Sequence, residues 1–273
     1  MMWGRFVAIV WKNLKKHTNK YRYHFLASLF FVILSIAATW PLIYYINERV
    51  PGWFIADNYE YLWKIWWFKH ALFEPGHNPL LEPDIFYPNG FNLAHGELTP
   101  LHTLLGLPIT WIFGEILTYN LFALLSFLLA GIGTYLLVFR WTGNYWAGIF
   151  SGILFVLNPY HTVRFGGILP LMSIEGIPFL LLGLDLWIEK LKTRWMLLAL
   201  LGFLLTSWAS LYYAFGVFLL FPIYFAVRIF SGNNGFLYRK NWKNIIIFFI
   251  GVAIIIIPLV IPYLKKKKKI SLH

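Results

Sequence analysis

The chain has 273 residues, of which 59% are hydrophobic and only 12% charged, and this composition excludes a soluble domain because too few polar side chains remain to cover one. It contains no cysteine, which excludes disulfide bonds, thiol catalysis and cysteine-based metal sites. The net charge of +12 does not predict nucleic-acid binding, because five of the charges form the lysine run 265–269 and most others flank apolar segments. These features predict an all-α polytopic protein of the cell membrane.

The N-terminal part predicts the orientation of the chain. Residues 1–24 contain six basic residues and no acidic residue, so we expect this basic N-terminus in the cytoplasm. The apolar segment 25–46 is too long for the core of a cleaved signal peptide and predicts an uncleaved first transmembrane helix. Residues 47–117 would then form a large first extracytoplasmic loop.

Seven of the eleven acidic residues fall within one stretch of that loop, from Glu48 to Glu97. A carboxylate at the bilayer centre costs a few kcal/mol or more, so membrane proteins keep carboxylates out of their spans. The concentration of acidic residues in one loop therefore indicates where chemistry takes place. Within the loop, segment 58–73 is rich in Trp and Tyr and predicts a helix lying in the membrane interface. The prolines and glycines of 74–96 predict ordered turns.

Segment 99–114 is ambiguous between a span and a loop, and the positive-inside rule decides its placement. If it spans, the basic connections at 189–194 and 228–243 face outside; if it stays on the outer face as a juxtamembrane or re-entrant helix, both face inside. We therefore expect a module of residues 25–264 with about seven transmembrane helices. Their expected positions are 25–46, 120–138, 145–159, 170–188, 195–210, 211–229 and 244–264.

Residues 265–273 form a basic tail, which this topology places on the unfavourable outer side for five lysines. Consecutive lysine codons can form a long adenine tract, in which reading frames slip. The tail is therefore interpreted as the product of a frameshift or a truncation, and the chain as the N-terminal portion of a longer protein.

Small residues at helical spacing, such as Gly148 and Gly152, predict close helix packing. Gly131 and Gly133 form a G-x-G, but this pair lies inside an apolar run, so packing is expected there as well. The sequence has no P-loop or Rossmann fingerprint, and we expect no nucleotide cofactor.

Asp57 and Glu60 lie at the start of the aromatic helix and have the spacing of a capping box. For Glu60 the capping role is the favoured interpretation. For Asp57 the capping role competes with a role as general base. A carboxylate held at a helix N-terminus just above the membrane stays ionised and is well placed to accept a proton.

His95 and Glu97 precede segment 99–114, with His102 nearby. A histidine and a carboxylate at this spacing can ligate a divalent cation or hold a phosphate. The alternative is an ordinary polar loop in which Glu97 lies near the N-terminus of the next helix.

His161 and Arg164 follow the third predicted span, where a guanidinium suits a lipid-linked phosphate, although contact with ordinary headgroups explains it equally well. Glu175 lies a few residues inside the fourth predicted span, and an acid there is a functional candidate. Asp185 and Glu189 lie near lysines at the predicted cytoplasmic end, and no special role is expected for them.

The order of these features resembles the GT-C class of integral-membrane glycosyltransferases, and within it the uncharacterised and YfhO-like sets. The resemblance covers about residues 30–264, and each of its motifs is loose. The carrying segments are ADNYEYLW with Asp57 and Trp63, NPLLEPDIFYPNGFNL from Asn78, Thr99-Pro100-Leu101, LLAGIGTYLL in the second span and LNPYHTVR after the third.

The resemblance implies that Asp57 is the catalytic carboxylate of the first loop, with Glu60 or Glu97 as the second acid. It further implies a divalent cation, Mg²⁺ or Mn²⁺, held by Asp57, His95 and Glu97. The substrates would be a polyprenyl-phosphate-linked sugar and a glycan, lipid or protein acceptor, bound with the help of His95, His161, Arg164 and Glu175. Two alternatives stay open: a transporter or flippase of a lipid-linked substrate, and a non-catalytic membrane scaffold.

Overall fold

The computed structural model describes residues 21–52, 57–74, 77–232 and 241–270. Within these ranges the chain is mostly helical, with turns and irregular connections, one short antiparallel ladder of β1 (Leu81–Glu82) with β2 (Phe91–Asn92) and a 3₁₀ turn at Leu93–His95. The helices are α1 (Tyr21–Ala38), α2 (Asn58–Phe73), α3 (Pro100–Thr103), α4 (Leu107–Phe113), α5 (Glu115–Thr142), α6 (Tyr145–Val156), α7 (Pro159–Phe165), α8 (Leu169–Met172), α9 (Gly176–Lys190), α10 (Thr193–Ala209), α11 (Leu211–Phe230) and α12 (Trp242–Ile270). The predicted all-α class is confirmed for the described residues.

Five of the described helical segments are long and apolar enough to cross a membrane. They are α1, α5, the α8–α9 segment Leu169–Lys190, α11 and the Trp242–Pro262 part of α12. Two further apolar helices, α6 and α10, have 12 and 17 residues, fewer than the roughly 20 that a straight crossing needs. The seven-span topology therefore stays a prediction.

The surfaces of these helices are apolar where they face outward. Phe215 on α11 is 67% exposed and Ile254 on α12 is 65% exposed. Large contiguous apolar surfaces of this kind mark contact with lipid or with another protein. Together with the five long apolar helices, they support a membrane protein.

The prediction that the first span extends to residue 46 is wrong. Helix α1 stops at Ala38, and residues 39–48 form a series of turns instead of the last two helical turns of a 25–46 helix. Pro41 explains the break, because it has no N–H to donate and it disfavours helical geometry in Trp40 before it.

Glycines bring the helices close together, which confirms the predicted packing role. A Cβ added at Gly131 of α5 or Gly152 of α6 would overlap the ring of Phe31, so these two helices hold the α1 phenylalanine between them. A Cβ at Gly183 of α9 would lie 2.6 Å from Cα of Ala199 on α10, closer than any ordinary contact. Helices α9 and α10 thus pack almost backbone to backbone.

Helix α2 covers the segment that its aromatic pattern predicts, and the turn-rich segment after it contains the β1–β2 ladder. One face of α2 packs on the long helix α5, because Tyr61 and Ile65 share a buried cluster with Tyr119 and Ala123. Its C-terminal half packs on the loop through Trp67 and its neighbours. The segment 99–114 forms the two short helices α3 and α4, neither of which is long enough to cross a bilayer.

Polar contacts fix both ends of the bundle. At the end that carries the loop, the Asn120 side chain donates to the carbonyls of Ile46 and Arg49, both at 2.8 Å. At the opposite end, the carboxylate of buried Asp185 lies 3.3 Å from Arg140 of α5 and 3.1 Å from Arg228 of α11.

Asp185 and Glu189, for which no special role was expected, have a structural one. A buried carboxylate must be paired, and Asp185 meets this need by joining α9 to α5 and α11, while Glu189 pairs with Arg140. These basic partners come from other helices and not from the lysines nearby in sequence.

Candidate functional site

The predicted capping box at the start of α2 does not form. Asp57 is the N-cap residue, but its φ of −72° and ψ of 1° are not the extended geometry of a capping residue, and its side chain makes no capping hydrogen bond. Glu60 turns away from the N-cap and pairs with Lys64 at 2.5 Å. No described residue bonds the exposed Asp57 carboxylate, which leaves it free to accept a proton from a bound molecule.

Lys64 is the buried charge that draws Glu60 away. Its side chain is only 4% exposed, and its ammonium group also donates to the Glu97 carbonyl at 3.1 Å and lies 5.0 Å from the centre of the Tyr61 ring. A buried ammonium needs such partners. The sequence gave one signal of this role, namely the i, i+4 spacing from Glu60 within an aromatic run.

Glu97 joins the loop to the transmembrane bundle. Its carboxylate accepts one hydrogen bond from the Tyr61 hydroxyl at 3.2 Å and another from the hydroxyl of Ser210, the residue between α10 and α11. Burial raises the pKa of Tyr61 well above its usual range, and the negative charges of Glu97, Glu60 and Asp57 raise it further. Of the three predicted catalytic acids, Glu97 contacts the Tyr61 hydroxyl directly, and Glu60 is linked to Glu97 through Lys64.

Of the three predicted cation ligands, the side chain of His95 lies outside the part of the chain that the structure describes. The described part of the set fits a cation poorly. Both oxygens of Glu97 accept hydroxyl protons, and the Lys64 ammonium already supplies a positive charge at its carbonyl. The divalent cation stays a prediction, and the reaction proposed below does not depend on it.

His161 lies inside the helix bundle. Its side chain is fully buried, with Nδ1 2.7 Å from the Val156 carbonyl and Nε2 3.1 Å from Oγ of Ser126 on α5. Burial lowers its pKa, so the imidazole is neutral near pH 7 and Nδ1 donates to the carbonyl. In this geometry His161 joins α7 to α5, and a direct contact with substrate would require the bundle to open.

Glu175 lies close to this histidine, at the break between α8 and α9. It is 4% exposed and interacts with Ser126, and among the described residues its Oε2 atom has no hydrogen-bond partner. The same break receives His102, whose Nε2 lies 3.0 Å from Oγ of Ser173. Burial lowers the pKa of His102 to about 3. The interrupted segment 169–190 is therefore lined by buried polar groups.

Arg164 belongs to a different group from the three acids. Its guanidinium lies 5.0 Å from the centre of the Tyr160 ring, and the Tyr160 hydroxyl accepts a hydrogen bond from Tyr213 at 3.1 Å. The structure therefore links Glu60 and Glu97 through Lys64, one turn of α2 from Asp57, and leaves Arg164 beside α11.

Three open pockets that share lining residues lie along α1 and the segment after it, and together they are called the groove. Its first part, about 640 Å³, is apolar and is lined by Ile33, Ile36, Ala37 and Trp40. Trp40 also lines the second part, a cavity of about 340 Å³ that contains Arg49, Pro51, Gly52 and Phe165. Gly52 and Phe165 continue into a third part of about 360 Å³ against α7.

Arg49 was not predicted as a site residue, yet it is the cationic side chain of this groove. Its guanidinium lies 4.5 Å from the centre of the Tyr45 ring, and no described acidic residue is within ion-pair distance of it. Asn120 fixes its backbone carbonyl. The sequence showed only a basic residue outside the membrane, because the groove that it faces is built from segments far apart in the chain.

The groove reaches the start of α2. Asn58, the residue after Asp57, donates from its side-chain amide to the carbonyl of Pro51, a residue of the cavity wall, at 3.3 Å. Asp57 itself lines none of the three parts, and neither do Glu97 and Arg164, as far as the described residues show. Asp57 is thus next in sequence to a residue that bonds to the wall of the groove.

Comparison with protein-family models, with curated proteins and with solved structures finds no match to the chain.

Proposed function

We propose that the protein is a membrane glycosyltransferase that moves a sugar from a polyprenyl-phosphate-linked donor to an acceptor on the extracytoplasmic face. The observation that carries this proposal is the groove, which is apolar beside α1 and cationic at Arg49, and whose wall residue Pro51 bonds to Asn58, the residue after Asp57. A lipid with a phosphate head and a sugar beyond it has the same order of chemical properties.

The donor would place its prenyl tail against Ile33, Ile36 and Trp40, where apolar contact with the side chains replaces contact with lipid. Its phosphate would then lie at the guanidinium of Arg49, which has no competing carboxylate among the described residues. A guanidinium can bind two phosphate oxygens at once and keeps its charge at any physiological pH. We assign to Arg49 the phosphate contact that the sequence predicted for Arg164.

In the reaction, Asp57 would remove the proton from the acceptor hydroxyl, and the acceptor oxygen would attack the anomeric carbon of the sugar. The bond between that carbon and the phosphate oxygen breaks, and its electron pair leaves with the lipid phosphate. The positive charge of Arg49 stabilises the phosphate as this charge develops. Glu60 and Glu97 have a supporting role, because they hold Lys64 and Tyr61 in place beside the base.

The direct test is sugar transfer from a polyprenyl-phosphate-linked donor in proteoliposomes. Asp57→Asn should lower turnover by about 100-fold or more, because general-base catalysis contributes about 10²–10⁴. Asp84→Asn is a matched control, since Asp84 is an exposed carboxylate in a turn of the same loop. Turnover in Asp57→Asn equal to that of the control, with normal expression, would remove the assignment.

A second candidate, transport of a lipid-linked substrate, is favoured by the break between α8 and α9. Interrupted helices with buried polar groups are typical of transporter binding sites, and here Glu175 has an unpartnered oxygen at the break. If the protein is a transporter, Glu175 and not Asp57 should be essential when movement of the substrate across the bilayer is measured. Glu175→Gln would abolish movement of the lipid-linked substrate across the bilayer, and Asp57→Asn would leave it unchanged.

A further inference from the structure

Three side chains that suit a metal ion meet where α2 ends and the loop turns towards β1. They are His70 and Glu74, one helical turn apart, and His77. Their ligand atoms all lie within 4.8 Å of one another, and Nδ1 of His70 lies 2.9 Å from Oε1 of Glu74. The rings of His70 and His77 have centroids 5.2 Å apart.

We propose that His70, Glu74 and His77 bind a divalent transition-metal ion of the zinc class. Two imidazole nitrogens and one carboxylate oxygen are a common zinc ligand set, and a water molecule completes the tetrahedron. This set differs from Asp57, His95 and Glu97, the residues that the sequence predicted for Mg²⁺ or Mn²⁺. Oxygen ligands alone suit those two ions, whereas imidazole favours zinc, cobalt or nickel.

The distances are compatible with this assignment. Metal–ligand bonds of about 2.0–2.1 Å in a tetrahedron place the ligand atoms about 3.3 Å from one another. The largest separation here is within 4.8 Å, so the ligands need to approach by about 1.5 Å at most on binding. Glu74 and His77 are exposed and His70 is only half-buried, so rotation of these side chains supplies that movement.

Other contacts hold the histidines together without help from an ion. The His70 ring stacks on Trp66 at 4.8 Å, and the His77 ring lies edge-on to Trp67 at 5.9 Å. The indole N–H of Trp67 donates to the carbonyl of Pro79 at 3.2 Å, which ties the chain just after His77 back to α2. The C-terminal end of a helix also favours positive charge.

The bound ion would act as a structural clamp between the last turn of α2 and the segment leading to β1. The cluster of Trp67, Phe68, Leu93 and Leu98 packs α2 on the part of the loop after β2, and Leu80, just before β1, packs against the same cluster. The metal would add a second link between α2 and the segment before β1 and thereby stabilise the loop. This inference is independent of the proposed transfer reaction, and either can fail without the other.

The test is titration of the full chain, purified without a polyhistidine tag, with Co²⁺ and then Zn²⁺ in detergent. We expect one Co²⁺ per chain with visible absorption bands, displacement by Zn²⁺, and a higher melting temperature with Zn²⁺ than with a chelator. His77→Gln and Glu74→Gln should each weaken Co²⁺ binding by at least 10-fold. Glu48→Gln, which removes an exposed carboxylate elsewhere in the loop, should leave it unchanged.

Three results would contradict the metal site or its role as a clamp. Absence of stoichiometric Co²⁺ binding would overturn the proposal. So would binding that is equally strong in His77→Gln, because the ion would then occupy another place. Binding of Zn²⁺ with no change in melting temperature would overturn the clamp while leaving the site.

Discussion

Gly202→Ala on α10 tests the contact that brings α9 and α10 together. An added Cβ would lie 2.7 Å from Cα of Leu180, whereas carbon atoms in contact normally lie about 3.5–4.0 Å apart. The helices must therefore separate by about 1 Å. Overpacking against backbone costs about 1–3 kcal/mol, and the better helix propensity of alanine returns about 1 kcal/mol, so we expect a net loss of about 1 kcal/mol.

Gly216→Ala on α11 is the matched control, because no atom lies within 4 Å of an added Cβ there. This variant should be as stable as the parent or more stable by up to about 1 kcal/mol. Thermal unfolding in detergent, followed by size-exclusion chromatography, measures both variants. A loss of about 1 kcal/mol corresponds to a melting temperature about 2–4 °C lower. Equal melting temperatures for the two variants would refute the close packing of α9 on α10.

Two further variants test polar contacts at opposite ends of the bundle. Asp185→Asn removes the shared partner of Arg140 and Arg228. Breaking a buried ion pair costs about 3–5 kcal/mol, but both arginines are partly exposed, so we expect the free energy of unfolding to fall by about 2–3 kcal/mol. Steric trapping measures this change, and a fall of less than about 0.5 kcal/mol would contradict the network. His102 has a folded-state pKa of about 3 against about 6.5 when unfolded, so the unfolded chain binds more protons between these values and stability falls as the pH decreases below about 6.5. This group accounts for about 2 kcal/mol at pH 5, and unfolding curves between pH 7 and pH 5 should show a smaller loss in His102→Gln; identical pH dependence would show that His102 is not buried.

Much of the fold follows from local sequence patterns. The aromatic segment starting at Asn58 predicts α2 with the limits that the structure shows, because apolar residues recur at helical spacing and prolines follow it. The glycines predict close packing correctly, because the absence of a side chain lets another helix approach closely wherever the two cross. The end of α1 was missed because the apolar pattern continues past Pro41, while the backbone cannot continue as a helix there.

The site was predictable only where its residues are close in sequence. Asp57, Glu60 and Glu97 were predicted as acids of one loop, and the structure links Glu60 and Glu97 through Lys64, with Glu97 bonded to Tyr61. Their detailed contacts depend on Lys64, whose burial is decided by packing on distant segments. Arg49 was missed for the same reason.

The central claim is that a lipid-linked phosphate binds in the groove between α1 and α7 with its phosphate at Arg49. The most direct measurement is photocrosslinking with a polyprenyl phosphate that carries a photoreactive prenyl tail. We expect labelling within residues 33–40 and at least 10-fold weaker labelling in Arg49→Gln, because a charge-assisted contact contributes about 1.5–3 kcal/mol. Arg194→Gln is the control, since Arg194 also stacks on an aromatic ring, 4.6 Å from the centre of Trp195, and should label normally. Labelling outside the groove, or equal labelling in both variants, would contradict the account.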